Sequence, residues 1–262
     1  MPALTDLSVV RRILQADPIW CVYALGDLAP GFSGKCSWYW TLGEEPALAL
    51  IYRGFSPPIF FATGKPDGLE PLLNEISAEP ALSLHVRPEA LRMVAARYRI
   101  RDEKSVWRMA IRAENFRPTA VEDCIRLGPA DLSSIRSLYA DGEEAGESPE
   151  YFSPSSLEDG VFFGIRDRQE LVAVAGTHLV SAKEGVAAAG NVYTRRDRRG
   201  NGLAAQTTSA VVKELLQLGI GTIALNVLQQ NLTAIHIYEK IGFEKYCEFR
   251  QGLAHRWQCG QH

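Results

Sequence analysis

Four arginines and two glycines lie close together near the middle of the second half of the chain. The residues are Arg195, Arg196, Arg198, Arg199, Gly200 and Gly202. Guanidinium groups pair well with phosphate oxygens, and glycines let an anion approach backbone N–H groups closely. If a helix begins here, its unpaired N–H groups and its dipole add to that attraction. The stretch therefore predicts a site for a phosphate-bearing ligand, with a solvated turn at a helix start as the alternative.

The residues on both sides of this turn predict a strand followed by a long helix. Gly185 to Thr194 is apolar and compatible with a strand, and apolar residues recur at helical spacing from Leu203 to Leu218. Two common phosphate-binding patterns do not fit. The pattern G-x-x-x-x-G-K followed by Ser or Thr is absent, and position 205 is Ala where the dinucleotide pattern needs Gly.

The segment from Asp197 to Gly202 resembles the Gln/Arg-x-x-Gly-x-Gly/Ala signature of the GCN5-related N-acetyltransferases (GNAT). It departs from the signature at its first position, where Asp197 replaces Gln or Arg. A second motif follows in the order typical of the family. Asn231 opens a predicted helix that ends in Tyr238 to Phe243, as in the family's N-x-x-A-x-x-x-Y-x-x-x-G-F ending. The resemblance covers roughly residues 118–258.

This resemblance implies that an acetyl group passes from acetyl-coenzyme A (acetyl-CoA) to an amine, without a metal ion. The residues that it assigns to the cofactor are Val192, Tyr193, Thr194, Arg199, Gly200, Asn201, Gly202, Leu203, Ala204 and Asn231. The strand end 192–194 is expected to pair with the pantetheine arm, in a gap where it splays from the predicted strand 222–227. A free N–H of Val192 or Tyr193 is expected to stabilise the thioester oxygen.

Two residues are expected to move protons. Tyr238 stands where the family's general acid stands, and a phenol with a pKa of about 10 can protonate a thiolate whose pKa is about 8.5. The alternative is a core tyrosine on an apolar helix face. His178, on a predicted strand, is the candidate base, although a single strand histidine is more often a packing or surface residue. Glu184 is expected to be solvated, and no carboxylate lies within 187–194, which leaves a water relay open.

The acceptor is the least defined part of the prediction. The acidic segment 141–147 could attract a cationic amine or form a solvated loop, and Tyr151 and Phe152 could wall the pocket or anchor that loop. A small-molecule amine or amino acid is the preferred acceptor, because the glycine N-acyltransferases share a two-half layout of this kind. The alternatives are a protein lysine or N-terminal acetyltransferase and a non-catalytic acyl-CoA-binding sensor.

Composition limits the possible partners and compartments. The 262 residues carry a net charge of −3 and are 46% hydrophobic, so no bulk basicity indicates nucleic acid. The N-terminus lacks the charged region and the following apolar core that are typical of a signal peptide. No apolar run reaches membrane-spanning length. Five scattered cysteines favour reduced thiols. We therefore expect a cytoplasmic monomer or homodimer that contacts neither nucleic acid nor a membrane.

The two halves of the chain predict the same order of elements: helix, helix, three strands, helix, strand, helix, strand. The predicted fold class is α/β (α+β), with tandem GNAT-like folds and a central twisted mixed sheet flanked by helices in each half. Residues 1–117 are predicted to form a degenerate domain, because only Gly64 to Gly68 stands where the phosphate turn should be. Residues 118–262 are predicted to form the catalytic domain. A front domain of other ancestry is the alternative, and 244–249 and 253–258 are predicted as a final pair of strands.

Overall fold

A computed structural model describes residues 6–41, 46–76, 79–149 and 152–257. The helices and strands are α1 (Leu7–Leu14), α2 (Val22–Gly26), α3 (Pro30–Ser33), β1 (Cys36–Thr41), β2 (Ala47–Tyr52), β3 (Ile59–Thr63), α4 (Pro66–Ile76), β4 (Ala81–Val86), α5 (Pro88–Ala95), β5 (Tyr98–Ile111), β6 (Ile125–Leu127), α6 (Leu132–Glu143), α7 (Ser156–Asp159), β7 (Phe162–Asp167), β8 (Glu170–Ser181), β9 (Val186–Thr194), α8 (Leu203–Gln217), β10 (Thr222–Leu228), α9 (Leu232–Ile241) and β11 (Glu244–Arg256).

This order of elements repeats along the chain as predicted. The succession α1, α2, three strands, α4, β4, α5, β5 is matched by α6, α7, three strands, α8, β10, α9, β11. The short helix α3 and the short strand β6 are additions to the repeat.

Contacts between Cα atoms divide the protein into two compact units. The first contains the described residues of Met1–Arg108, Leu228–Gln230 and Tyr246–His262, and the second contains those of Met109–Val227 and Asn231–Lys245. Most of the C-terminal strand therefore belongs to the first unit. The assignment of 1–117 and 118–262 to two domains of common ancestry stays a prediction.

The first unit has a mixed sheet in the order β1-β2-β3-β4-β11-β5. β3 and β4 are parallel, whereas β1–β2, β2–β3 and β4–β11 are antiparallel. Helix α4 buries one face, because its apolar residues recur at three- and four-residue spacing. These buried residues are Leu69, Leu72, Leu73 and Ile76. They form one core with the alternate residues Leu82, Leu84 and Val86 of β4.

The C-terminal segment corrects one prediction. The expected pair of strands, 244–249 and 253–258, is one strand from Glu244 to Arg256, and position 258 lies outside the described residues. The ladder with β4 runs unbroken from Arg250 paired with Val86 to His255 paired with Ala81. Gly252 does not form a turn. Instead, a Cβ atom there would lie 3.0 Å from the Arg101 carbonyl oxygen, so the glycine permits a close backbone approach.

The second unit has a mixed sheet in the order β10-β9-β8-β7-β6. β9 and β10 are parallel, and the remaining pairs are antiparallel. Helix α8 packs on β7, β8 and β9 with Val211, Val212 and Leu215 fully buried. Helix α6 closes another core with Ile135 and Leu138. The predicted class, a mixed sheet flanked by helices, is confirmed in each unit.

Two further observations concern the described residues only. None of their helices combines the length and apolar character needed to span a membrane. The cysteines among them, at positions 21, 36, 124 and 247, have free thiols.

Candidate active site

Strands β9 and β10 pair over only part of their lengths. Their parallel register runs from Val186 with Thr222 to Ala189 with Leu225. Beyond that point β9 continues to Thr194 and β10 continues through 226 and 227, without further pairing between them among the described residues. The pairing therefore ends at Ala189 and Leu225, in the region where the family resemblance implies a gap.

The last residues of β9 present one backbone edge to this gap. Arg195 N–H donates to a carbonyl of β8 at 2.9 Å and continues the β8–β9 ladder. In an antiparallel ladder the backbone groups of the preceding residue, Thr194, point to the other edge. The Thr194 carbonyl there accepts a hydrogen bond from Arg199 Nε at 3.2 Å. The same alternation places Val192 on the open edge and Tyr193 on the β8 side.

Asn191 interrupts the regular pairing of β9. Its φ is +53°, and the β8–β9 register shifts beside it. The side chain is buried, and Nδ2 donates to the Thr177 carbonyl at 3.1 Å. Tyr139 donates its hydroxyl to the Asn191 carbonyl at 2.9 Å. This bulge was not predicted from the sequence, although Asn within an apolar strand is a signal for it, since Asn tolerates positive φ.

Three polar side-chain atoms on the strands that border the gap are buried and have no hydrogen-bond partner among the described residues. They are Asn191 Oδ1, Thr194 Oγ1 and Asn226 Oδ1. Asn226 is the first residue of β10 beyond the pairing with β9. An unsatisfied buried polar atom costs about 1–3 kcal/mol. Each of these oxygens can accept a hydrogen bond from a ligand donor that reaches it.

The turn between β9 and α8 presents free backbone donors. Gly200 and Gly202 have φ of +80° and +74°, and Gly202 is the N-cap of α8. The first backbone hydrogen bond of the helix is donated by Gln206 to Gly202 at 3.1 Å. Within the described chain, the N–H groups of 200–205 donate to no backbone carbonyl. Asn201 steadies the turn, because its Nδ2 donates to the two preceding arginine carbonyls. This arrangement fits an anion.

Each arginine of the turn pairs with a carboxylate. The pairs are Arg195 with Glu170 and Asp197, Arg196 with Asp141, Arg198 with Asp167 and Asp197, and Arg199 with Glu147. The side chains thus neutralise one another locally, and the attraction for an anion comes mainly from the backbone donors. Asp197, at the divergent signature position, holds Arg195 through two of its oxygens, at 2.7 and 3.1 Å.

The acidic segment 141–147 contacts this turn. The Asp141 carboxylate accepts hydrogen bonds from the Tyr193 hydroxyl at 2.8 Å and from the Arg196 N–H at 3.0 Å. The Arg196 backbone bond and then the Tyr193 bond lower the pKa of Asp141. Burial, followed by the bond to Asp141, raises the pKa of Tyr193. Glu147 accepts from Arg199 at 2.6 Å. The carboxylates at both ends of the segment therefore contact arginines of the turn.

Phe152 packs in the core of the second unit. Its ring lies edge-on to Tyr139 at 5.2 Å and to Phe162 at 6.1 Å between centroids. These contacts anchor the loop, which was the alternative to a role in the acceptor pocket. Tyr151, the other residue considered for that pocket, lies outside the described residues.

Tyr238 lies on α9 and is buried, with 8% of its surface exposed. Its ring is 6.0 Å from Phe243, and its hydroxyl forms no hydrogen bond with the described residues. Burial raises the pKa of the phenol to about 12. The C-cap Gly242 has φ of +107°, and a Cβ atom there would lie 2.0 Å from the Asn115 carbonyl oxygen. A side chain at position 242 would thus collide with this carbonyl, so the packing requires the glycine of the motif.

Asn231 is the N-cap of α9. Its Oδ1 accepts a hydrogen bond from Ala234 N–H at 3.1 Å, as an N-cap asparagine does. The structural role considered for this residue is therefore confirmed, and contact with the cofactor stays a prediction.

His178 lies on β8, half-buried against β9. A Cβ atom at Gly190 would lie 2.4 Å from its Nε2, so the imidazole ring covers this glycine. Burial lowers the pKa of His178 to about 4. Glu184, expected to be solvated, is only 9% exposed, so that expectation was wrong. No cluster of three or more His, Cys, Asp or Glu side chains suited to a metal ion occurs in the described ranges.

Comparison with known proteins supplies independent evidence. Residues 132–243 match the acetyltransferase (GNAT) family. The sequence matches no curated protein. Among solved structures, a Drosophila protein is similar with a TM-score of 0.71 and 13% identity, over 97% of both chains. A Novosphingobium aromaticivorans protein assigned to the GNAT family has a TM-score of 0.60 and 19% identity, over 92% of this chain and 97% of that one.

A third similar structure is described as a tandem GNAT protein from the clavulanic acid biosynthesis pathway. Its TM-score is 0.53 at 13% identity, with 97% of this chain and 96% of that chain covered. At these identities the likeness shows the fold. It extends over nearly the whole chain, well beyond the residues that match the family by sequence.

Proposed function

We propose, from the match of residues 132–243 to the acetyltransferase (GNAT) family, that the protein transfers an acetyl group from acetyl-CoA directly to the amine of a small molecule or amino acid. The observation that carries the proposal is the row of N–H groups at 200–205, which donate to no backbone carbonyl of the described residues. These groups follow directly after β9, the strand that borders the gap beside β10. Both features lie in the second unit.

The residues of the turn would hold the phosphate end of the cofactor. Backbone N–H groups from Gly200 to Ala204, with the α8 dipole behind them, donate to the diphosphate, and Arg199 adds a charge-assisted hydrogen bond. Acetyl-CoA itself supplies the activated thioester and an amide-bearing arm. The open edge of β9 at Val192 and Thr194 pairs with that arm as an added strand would. The orphaned oxygens of Asn191 and Asn226 offer acceptors to its amide groups.

A backbone N–H at this edge would stabilise the charge that develops on the thioester oxygen. The ladder alternation favours Val192 over Tyr193, because the backbone groups of Tyr193 face β8. A preorganised hydrogen-bond donor stabilises the transition state more than bulk water does, since it needs no reorganisation during the reaction.

Tyr238 would protonate the leaving thiolate. A pKa of about 12 keeps the phenol protonated at every physiological pH. It also makes the proton harder to give up, by about 1.4 kcal/mol for each pKa unit. The absence of a hydrogen-bond partner among the described residues leaves the hydroxyl free to donate to a ligand sulfur. These properties support the acid role for a residue that stands at the family's position.

His178 is a poor base for the acceptor amine. Its pKa of about 4 lies well below the pKa of about 10 of an alkylammonium ion. A gap of about six units corresponds to about 8 kcal/mol against proton transfer. We therefore assign removal of the amine proton to a water relay to solvent. A positioning role for His178 beside Gly190 remains compatible with its place on β8.

A small acceptor agrees with the description of one similar structure as a tandem GNAT protein from the clavulanic acid biosynthesis pathway. We further propose a cytoplasmic monomer or homodimer that acts without nucleic acid, membrane or metal. The free thiols of the described cysteines agree with a reducing compartment.

One screen tests the proposal. Purified protein is mixed with acetyl-CoA and, in separate wells, with amino acids, small amines and lysine-containing peptides, and free thiol release is measured. The same protein is titrated with CoA in a calorimeter. Turnover with a small amine is the expected result. Turnover with peptides alone would favour a protein acetyltransferase, and tight CoA binding without any turnover would favour a sensor. Absence of CoA binding would refute the proposal.

A further inference from the structure

Arg199 is already engaged by an internal carboxylate. Its terminal nitrogen donates to Glu147 Oε2 at 2.6 Å, and its Nε donates to the Thr194 carbonyl at 3.2 Å. The bond from Arg199 is the main reason why the pKa of Glu147 is lowered. The guanidinium also lies 5.7 Å from the centre of the Tyr193 ring. One end of the guanidinium is thus held by the strand, and the other end is occupied by an anion.

The segment that presents Glu147 is tied to the same turn. Glu147 N–H donates to the Gly142 carbonyl at 2.9 Å, and Gly146 has φ of +66°. At the other end of the segment, Asp141 accepts from the Arg196 N–H at 3.0 Å. Glu147 is therefore positioned at the turn by bonded backbone.

A phosphate oxygen and the Glu147 carboxylate cannot both use the same donor of Arg199. Both are anions, and like charges at such a distance repel each other. The ion pair is half-exposed, with 45% of the Arg199 side chain and 42% of the Glu147 side chain accessible. Pairs of this kind are weak enough to be displaced, since exposed ion pairs are screened by water and salt.

From this geometry we infer that the Glu147 carboxylate competes with the cofactor's phosphate for Arg199. The carboxylate must leave Arg199 before the phosphate can bind there, and this requirement lowers the affinity for the cofactor. The inference rests on the proposed function, because it needs a diphosphate at the turn. It makes Glu147 an affinity-determining residue that acts through Arg199 and has no contact with the reacting atoms. Binding of the cofactor then releases the Glu147 carboxylate from Arg199.

The test is CoA affinity measured by calorimetry on the full chain. Glu147→Gln should bind CoA about two- to fivefold more tightly than the wild type, because the competing charge is removed. Glu144→Gln is the matched control. It removes the same charge from the same exposed segment, at a residue without an ion pair in the described chain. Its affinity should equal that of the wild type.

A double-mutant cycle isolates the pair. In an Arg199→Gln background, Glu147→Gln should no longer change CoA affinity. Weaker binding by Glu147→Gln would mean that Glu147 orients Arg199 for the ligand and would overturn the inference. An equal gain in the Glu144→Gln control would reduce the effect to general electrostatics and would also overturn it. If the wild type and all variants fail to bind CoA, the proposed function itself fails, which is a distinct result.

Discussion

The imidazole of His178 lies against the backbone of Gly190, with 2.4 Å between its Nε2 and the position that a Cβ atom at 190 would take. The two residues belong to neighbouring strands, β8 and β9. Gly190 immediately follows the last β9 residue that pairs with β10. The position of the His178 ring on β8 therefore affects the β9 backbone at the point where its pairing with β10 ends.

Gly190→Ala should destabilise the protein by about 1–3 kcal/mol, the usual cost of overpacking a well-packed site. The added methyl group would force the His178 ring out of place. The free energy of unfolding in urea is the measurement. His178→Ala combined with Gly190→Ala should recover part of the loss, since the smaller side chain makes room. A double variant that is as unstable as the sum of the two single variants would contradict this explanation.

Acid should destabilise the folded state through His178. Its pKa in the folded protein, about 4, lies below its ordinary value of 6.5. Between these values the unfolded chain binds more protons, so stability is complete above about pH 6.5 and falls as the pH drops towards 4. His178→Gln should reduce the slope of unfolding free energy against pH by up to about 1.4 kcal/mol per unit. His85, whose pKa is also lowered to about 4, should keep its own share of the slope. An unchanged slope would show that His178 titrates normally.

Asn231 offers a way to separate capping from cofactor contact. Asn231→Ala should cost about 1 kcal/mol of stability, because the hydrogen bond to Ala234 N–H is lost. Asn231→Ser should restore most of that stability, since serine is an equally good N-cap. If CoA affinity also returns with serine, the residue serves the cofactor only through the helix. If affinity stays low while stability recovers, the amide contacts the cofactor directly.

The strand, turn and helix around the proposed phosphate site could be predicted from sequence because their signals are local. Glycines with positive φ at 200 and 202, apolar periodicity in α8 and the Gly-Phe ending after Tyr238 each act within a few residues. The repeated order of elements followed from the same kind of signal.

The misses depend on partners that are distant in sequence. Glu147 meets Arg199 across 52 residues, and Asp141 meets Arg196 across 55. No local sequence pattern predicts such pairs. The acidic segment 141–147, interpreted as an attractive surface for a cationic amine or as a solvated loop, therefore proved to pair with the arginines. The break expected between the strands 244–249 and 253–258 does not form, because the ladder with β4 runs through it from Arg250 to His255. Glu184 was placed in solvent because its burial depends on the fold around it.

Arg199→Glu should weaken CoA binding by at least about tenfold. It removes a charge-assisted hydrogen bond, worth about 1.5–3 kcal/mol, and adds a second carboxylate beside Glu147. Arg136→Glu is the control, since it makes the same charge change on exposed α6 surface outside the turn. Calorimetry on both variants is the measurement. Equal affinity for Arg199→Glu and the wild type would remove Arg199 from the site and leave binding to the backbone donors alone.

Tyr238→Phe should lower kcat by about 10²–10⁴-fold, the usual contribution of a positioned general acid, with little change in CoA affinity. The substitution removes only the hydroxyl and keeps the ring that packs on Phe243. Because the hydroxyl has no partner among the described residues, the variant should be as stable as the wild type. Steady-state kinetics, calorimetry and urea unfolding together separate these effects.

Tyr139→Phe is the matched control for Tyr238→Phe. It also deletes a buried hydroxyl, but one that donates to the Asn191 carbonyl at 2.9 Å, so it should lose stability. Loss of this hydrogen bond should shift the bulge at Asn191. The variant should therefore change CoA affinity as well as kcat. If Tyr238→Phe keeps full activity, another group protonates the thiolate, and the raised pKa of Tyr238 reflects burial in a core and nothing more. If it loses affinity in step with kcat, the phenol binds the cofactor and does not act as the acid.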